Sequence, residues 1–202
     1  HGTVVVADAQ TAGKGRRGRG WESPAGENIY MSILLRPDCV PDRAPMLTLV
    51  MAYSVAEVVR EFGFLDVQIK WPNDLVLSGK KVCGILTEMH LQGTTIDSIV
   101  VGVGVNVNTT SFLEELVDKA TSLFLECGKL LDKEQLIVDI VETFTEMYDR
   151  FAEAGDLEFL QDAYNAILVN KNREVCILEP EITMILRRSC IPTAVFLHAR
   201  NP

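Results

Sequence analysis

The stretch "IDSIVVGVGVNVN" (96–108) leaves this chain few options, because it is nearly continuous β-branched residue interrupted by glycine. β-Branched side chains favour extended backbone. Glycines inside a strand weaken it unless some other body must come close to the backbone. Residues 96–108 are therefore expected to form a buried strand, with Gly102 and Gly104 admitting a ligand or a neighbouring element. A buried strand needs partners, and the sequence offers them: residues 3–8, "NIYMSILLR" (28–36) ended by Pro37, "VQIKW" (67–71), "LVL" (75–77) and "KVCGILTEM" (81–89), with "SGKK" as a hairpin-type connection.

Helices are expected where the period changes. From Pro45 to Gly63, Met46, Leu49, Val50, Tyr53, Ala56 and Val59 recur at spacings of three and four. Helical periodicity returns over 112–126 and 133–154, where Asp132 with Gln135 makes a capping box, and Asp156 is expected to cap a further helix through Leu168. "REVCILEP" (173–180) reads as one more strand, and the residues beyond Pro180 have no clean period. Strands with one helix followed by helices point to an α+β fold, a mixed sheet backed by helices, rather than a parallel doubly wound one. At 202 residues and 48% apolar, the chain suits one domain with a small appendage.

A formal net charge of -9 argues against a general binder of nucleic acid or membrane surfaces, which needs a broad cationic face. Positive charge is concentrated instead in "AGKGRRGRGWESPAGEN" (12–28), between two expected strands, where Lys14, Arg16, Arg17 and Arg19 sit among glycines. Gly13 to Gly18 satisfies G-x-G-x-x-G as a bare pattern, but Pro24 and Gly26 follow too closely for the helix a dinucleotide site requires. No Gly-Lys-Ser/Thr stands where a P-loop needs it. The remaining reading is a flexible clamp, loose by itself and ordered over an anion: glycine supplies freedom, and guanidinium forks supply bidentate charge to phosphate or carboxylate. The competing reading is a solvated basic loop without a ligand.

Two further stretches bear on this choice. "KWPND" puts Lys70 at a strand end beside a turn, placed to project its ammonium into a cleft; the plainer alternative is an edge lysine, with Asp74 satisfying turn amides. In "GKKVCGILTE", Lys81 stands two residues before Cys83 and is expected to face the same side. The five cysteines (Cys39, Cys83, Cys127, Cys176, Cys190) are scattered and the three histidines far apart, so no disulfide is expected and no metal ligands are assigned. With no membrane-length apolar run and no leader pattern, the expected location is cytoplasmic, with no membrane partner.

The Gly-Arg-rich loop ending in Trp21, "SPAGENIYMS", "KWPND", "GKKVCGIL" and Gly-Val-Gly-Val-Asn together resemble the catalytic domain of biotin protein ligases, over about Val5 to Asn108. The resemblance implies a core like that of class II aminoacyl-tRNA synthetases and a two-step reaction: biotin and ATP give biotinyl-5′-AMP and pyrophosphate, then a lysine of a biotin carboxyl carrier protein takes the biotinyl group. It implies that Gln10, Gly13, Lys14, Gly15 and Arg16 contact biotin and its adenylate, with Arg17 and Arg19 as further candidates. Lys81 and Gly84 line the same pocket, Gly102 and Gly104 let the sheet floor approach the biotin ring, and Asn106 belongs to that segment. Lys70 stabilises charge during adenylation, Asp74 positions it or a magnesium-bound phosphate, and Trp21 packs beside the adenine. Lys70, Lys81 and Arg16 are the catalytic candidates; ATP with Mg2+ is the co-substrate and biotin the substrate. A homodimer is allowed, and a DNA-binding arm is not expected.

Three departures qualify the resemblance. The family's Ser-Thr-Asn element upstream of the first strand has no counterpart here, so weak biotin binding is expected of these residues. Lys14 stands where arginine is common and lacks its planar fork. Residues 1–170 are expected to form the catalytic domain, and 171–202 a truncated or divergent remnant of the small C-terminal β-domain. The alternatives are a lipoate ligase or acyltransferase of the same superfold and a non-catalytic biotin- or adenylate-binding fragment.

Overall fold

The computed structural model describes residues 1–63, 65–171, 175–178 and 183–186. Six strands form one sheet: β1 (Thr3–Ala7), β2 (Ile29–Leu35), β3 (Gln68–Lys70), β4 (Asp74–Leu77), β5 (Lys80–Gln92) and β6 (Thr95–Val105), in the order β1-β2-β6-β5-β4-β3. The expected buried strand is thus central. Among the described residues every ladder of this sheet is antiparallel, and parallel pairing is confined to isolated bridges, Ile69 with Leu168 and Lys81 with Ala120. A separate antiparallel pair, β7 (Val175–Leu178) with β8 (Thr183–Leu186), follows. The strand expected in "REVCILEP" is present as β7; the rest of that stretch and most of the tail lie outside the described residues.

Alternation decides what each sheet face meets. Ile29, Met31, Ile33 and Leu35 of β2, with Ile99, Val101, Val103 and Val105 of β6, point into the core. There they meet the apolar face of α1 (Met46–Gly63), where Leu47, Val50, Met51 and Val55 are fully buried. A second helix layer, α3 (Lys133–Ala154), packs on α1 and buries Leu136, Ile140, Phe144, Tyr148 and Phe151, a stripe at helical spacing. Ser32, Gly102 and Gly104 fall on the other sheet face, which carries the cationic loop. One face builds the core and the other is left for chemistry.

The caps of α3 follow the sequence closely: Asp132 Oδ1 accepts from the Gln135 N–H at 3.0 Å, and Gly155 ends the helix at φ 73°. Asp156 accepts from the Glu158 N–H at 3.0 Å, but the helix that follows, here α4 (Gln161–Ala166), stops short of Leu168. The expected helix over 112–126 is corrected more strongly. Only Leu123–Cys127 (α2) is helical, capped by Ser122. The preceding segment is claimed by a neighbour: the Lys81 N–H donates to Lys119 O at 2.8 Å, and Thr121 N donates to Lys81 O at 2.9 Å. Residues 114–119 make turns instead of a helix, with Val117 N donating to Leu113 O at 3.2 Å and Ala120 N to Leu116 O at 2.8 Å, and the bridge between Ala120 and Lys81 ends them. Among the described residues, no helix is long and apolar enough to cross a membrane.

Candidate active site

The cationic loop is laced into a hairpin instead of hanging loose. Gly15 N donates to Arg19 O at 2.7 Å and Trp21 N to Gly13 O at 3.0 Å, around a tight turn at Arg16–Gly18. Arg17 takes the left-handed φ of 58°, uncommon for a side-chain-bearing residue. The stem is tied at several points: Ser23 Oγ donates to Gln10 Oε1 (2.8 Å), Gly26 N to Asp8 Oδ1 (2.9 Å), and the Tyr30 hydroxyl to Pro24 O (3.0 Å). Gly13 is required by proximity, since a Cβ there would stand 2.3 Å from Trp21 O. Backbone bonds thus order a segment whose like charges alone would keep it open.

Closure brings Trp21 onto the bare sheet. A Cβ on Gly104 would lie 2.7 Å from the indole, and one on Gly84 would lie 3.0 Å from it, so the two glycines make the slot in which the ring sits. The Trp21 Nε1 is buried without a hydrogen-bond partner. Lys81 Nζ lies 5.0 Å from the ring centroid, within cation–π range, and 2.8 Å from Asp74 Oδ1. The Trp21 indole packs on the glycine floor.

Lys81 reaches this face through an irregularity in the sheet. Opposite β4, Leu75 pairs with Cys83 but Val76 pairs with Lys81, so Val82 is skipped. This β-bulge reverses the alternation. Lys81 therefore shares the cavity with Gly84 and Leu86, whereas Cys83 turns into the core, fully buried. The expectation that Lys81 and Cys83 face the same side is thus wrong. Burial pushes the Cys83 thiol well above its ordinary range, so it is no nucleophile.

A cavity of about 190 Å³ lies between loop and sheet, lined among others by Gln10, Lys14, Arg16, Trp21, Lys81 and Glu88. Gly15, Gly84, Gly102 and Gly104 line it too. A neighbouring cavity of about 330 Å³ shares Arg16, Asn73, Ile85 and Leu86 with it and opens past Trp71 and Met89. Asp74 enters through its ion pair with Lys81. Gly13, Arg17 and Arg19 line neither cavity, and Lys70 is exposed at the end of β3, also outside both linings. Asn106 is buried, its Nδ2 donating to Thr121 O at 3.0 Å, so it holds the chain leaving β6. Sequence reasoning missed Asn73 and Glu88. Asn73 stood within the quoted turn, but its importance depends on a loop residue 57 positions away.

With this geometry in view, comparison with known proteins is decisive. Residues 1–106 match the family model of the biotin/lipoate A/B protein ligases. This chain belongs to the biotin/lipoate A/B protein ligase family. The bifunctional ligase/repressor BirA of Bacillus subtilis is 40% identical over 167 residues, covering 81% of this chain and 51% of the relative. The biotin protein ligase of Aquifex aeolicus in complex with biotin and ATP superposes with a TM-score of 0.80 at 32% identity, covering 93% of this chain and 77% of that one. The biotin–[acetyl-CoA-carboxylase] ligase of Paracoccus denitrificans is 40% identical over 108 residues, 51% of this chain and 43% of the relative. The chain spans about half the length of the curated relatives it matches. The expected α+β architecture is therefore that of a biotin protein ligase catalytic core.

Proposed function

We propose that the chain is the catalytic part of an ATP-dependent ligase that activates biotin as biotinyl-5′-AMP and passes it to a lysine of a carrier protein. The observation that carries this reading is the convergence of Arg16 and Lys81 on one cavity floored by glycine. Similarity to biotin protein ligases, one of them in complex with biotin and ATP, supports the choice of substrates.

In the first step a biotin carboxylate oxygen bonds to the α-phosphorus as the bond to pyrophosphate breaks. In the second, a lysine amine attacks the acyl carbon and AMP leaves with the bonding electrons. Both steps concentrate negative charge that fixed cations stabilise. The mixed anhydride is destroyed by water, so a loop must shelter it until the amine arrives. The hairpin of residues 13–21 supplies that cover, with Gln10, Lys14, Gly15, Arg16, Gly84, Gly102 and Gly104 assigned to biotin and its adenylate. Asp74 pairs with Lys81 at 2.8 Å, where the resemblance implied that it positions Lys70 or a magnesium-bound phosphate. Magnesium would arrive with the nucleotide, neutralising its phosphates. Such an ion takes one or two carboxylates and otherwise water and phosphate oxygen. That demand is compatible with the described residues, which include no group of three or more His, Cys, Asp or Glu able to hold a metal.

The test is biotin-dependent exchange of labelled pyrophosphate into ATP, which needs only the first step. Exchange with biotin is expected. Exchange with lipoate alone would move the substrate to the family's other branch, and exchange with neither would leave a binding fragment. Arg16→Ala is expected to slow exchange roughly 10- to 150-fold, as a charge-assisted contact of about 1.5–3 kcal/mol is lost. It should also release free adenylate, measured as biotinyl-AMP in the filtrate; an unchanged release rate would remove Arg16 from the cover.

A further inference from the structure

We propose that Asn73 is a positioning residue that aims Arg16 across the mouth of the cavity. Asn73 is stapled to the edge of the glycine floor twice: the Ile85 N–H donates to Asn73 O at 2.9 Å, and Asn73 Nδ2 donates to Ile85 O at 3.1 Å. A backbone carbonyl can only accept, so the amide nitrogen must face Ile85 and Oδ1 must face the loop. Arg16 Nη1 donates to that oxygen at 2.9 Å. Loop and sheet are thereby joined at the position where the two cavities meet.

The chemistry of the acceptor matters. Asn73 is neutral, so it fixes the direction of the guanidinium without cancelling its charge, and it engages one of five donors. The adjacent residue behaves differently: Asp74 holds Lys81 by a full ion pair at 2.8 Å. Consecutive residues, the last of the turn and the first of β4, thus orient two cations, one by a neutral bond that an incoming anion can outcompete and one by charge. A carboxylate at position 73 would hold Arg16 harder and oppose the same phosphate the arginine is there to meet.

The prediction concerns the loop first and catalysis second; only the catalytic arm rests on the ligase reading. In trypsin digestion of the native chain without added ligand, cleavage at Arg17–Gly18 and Arg19–Gly20 is expected to be about three- to tenfold faster in Asn73→Ala, the effect of one hydrogen bond. Arg16→Ala, which leaves the bonds to Ile85 intact, should accelerate the same bonds equally, and the double variant should add nothing. In pyrophosphate exchange, Asn73→Ala should lower kcat about tenfold with the KM for biotin changed less than twofold, and should cost little in an Arg16→Ala background. Wild-type cleavage rates in both single variants would overturn the latch, as would multiplicative effects in the double variant. A raised KM with kcat unchanged would make Asn73 a binding residue instead. If the wild type shows no exchange, the protease arm still decides the latch while the ligase reading fails.

Discussion

Replacing Lys81 with alanine is expected to slow biotin-dependent pyrophosphate exchange by roughly two to three orders of magnitude, the usual cost of removing a preorganised group aimed at developing charge. Two effects add. The ammonium proposed to meet the α-phosphate is lost, and Asp74, which it neutralised at 2.8 Å, becomes an unpaired anion in the proposed nucleotide site. The double variant Lys81→Ala/Asp74→Asn should therefore recover part of the loss, about tenfold, although neither residue it contains is a cation. Lys70→Ala is the control. Its side chain is exposed and outside both cavities, where solvent screens charge, so its effect should be about tenfold or less. Single-turnover adenylation measured beside biotin affinity separates the outcomes. Equal losses in Lys70→Ala and Lys81→Ala would return the charge-stabilising role to Lys70.

Asn28→Ala is expected to be the most destabilising single polar change near the site, by about 3 kcal/mol, or a fall in Tm of several degrees. Asn28 is 5% exposed and makes three hydrogen bonds: its Oδ1 accepts from Val107 N and Thr109 Oγ1, each at 2.9 Å, and its Nδ2 donates to the Tyr30 hydroxyl at 3.1 Å. That hydroxyl in turn donates to Pro24 O, at the stem of the cationic loop. Removing the amide strands two buried donors and frees the stem together. Chemical denaturation should show a lower midpoint at unchanged slope. The loop should become more protease-sensitive than the loss of global stability accounts for. A midpoint within 0.5 kcal/mol of wild type would mean that water or a rearranged Thr109 replaces the amide.

Much of this was legible in residue order. The β-branched run at 96–105, the stripe from Met46 to Val59 and the Asp132 cap are local matters, since a period or a cap is decided by residues within a turn or two of each other. The loop's glycines and cations marked it as a distinct cationic segment, but the backbone bonds that lace it into a hairpin, such as Gly15 N to Arg19 O, were not legible there. What the residues could not announce was which face each side chain would take once the register slipped. Skipping Val82 turns Lys81 toward the cavity and Cys83 into the core, and nothing in "KKVCG" marks that bulge. The same holds for residues 112–121, whose turns end where Ala120 bridges Lys81, and for Asn73, whose partner stands 57 positions away in the cationic loop. Local sequence determined the elements and the kind of chemistry. The tertiary structure alone decided which charges meet, because register and pairing between distant segments are set by summed packing and hydrogen bonding that no single stretch contains.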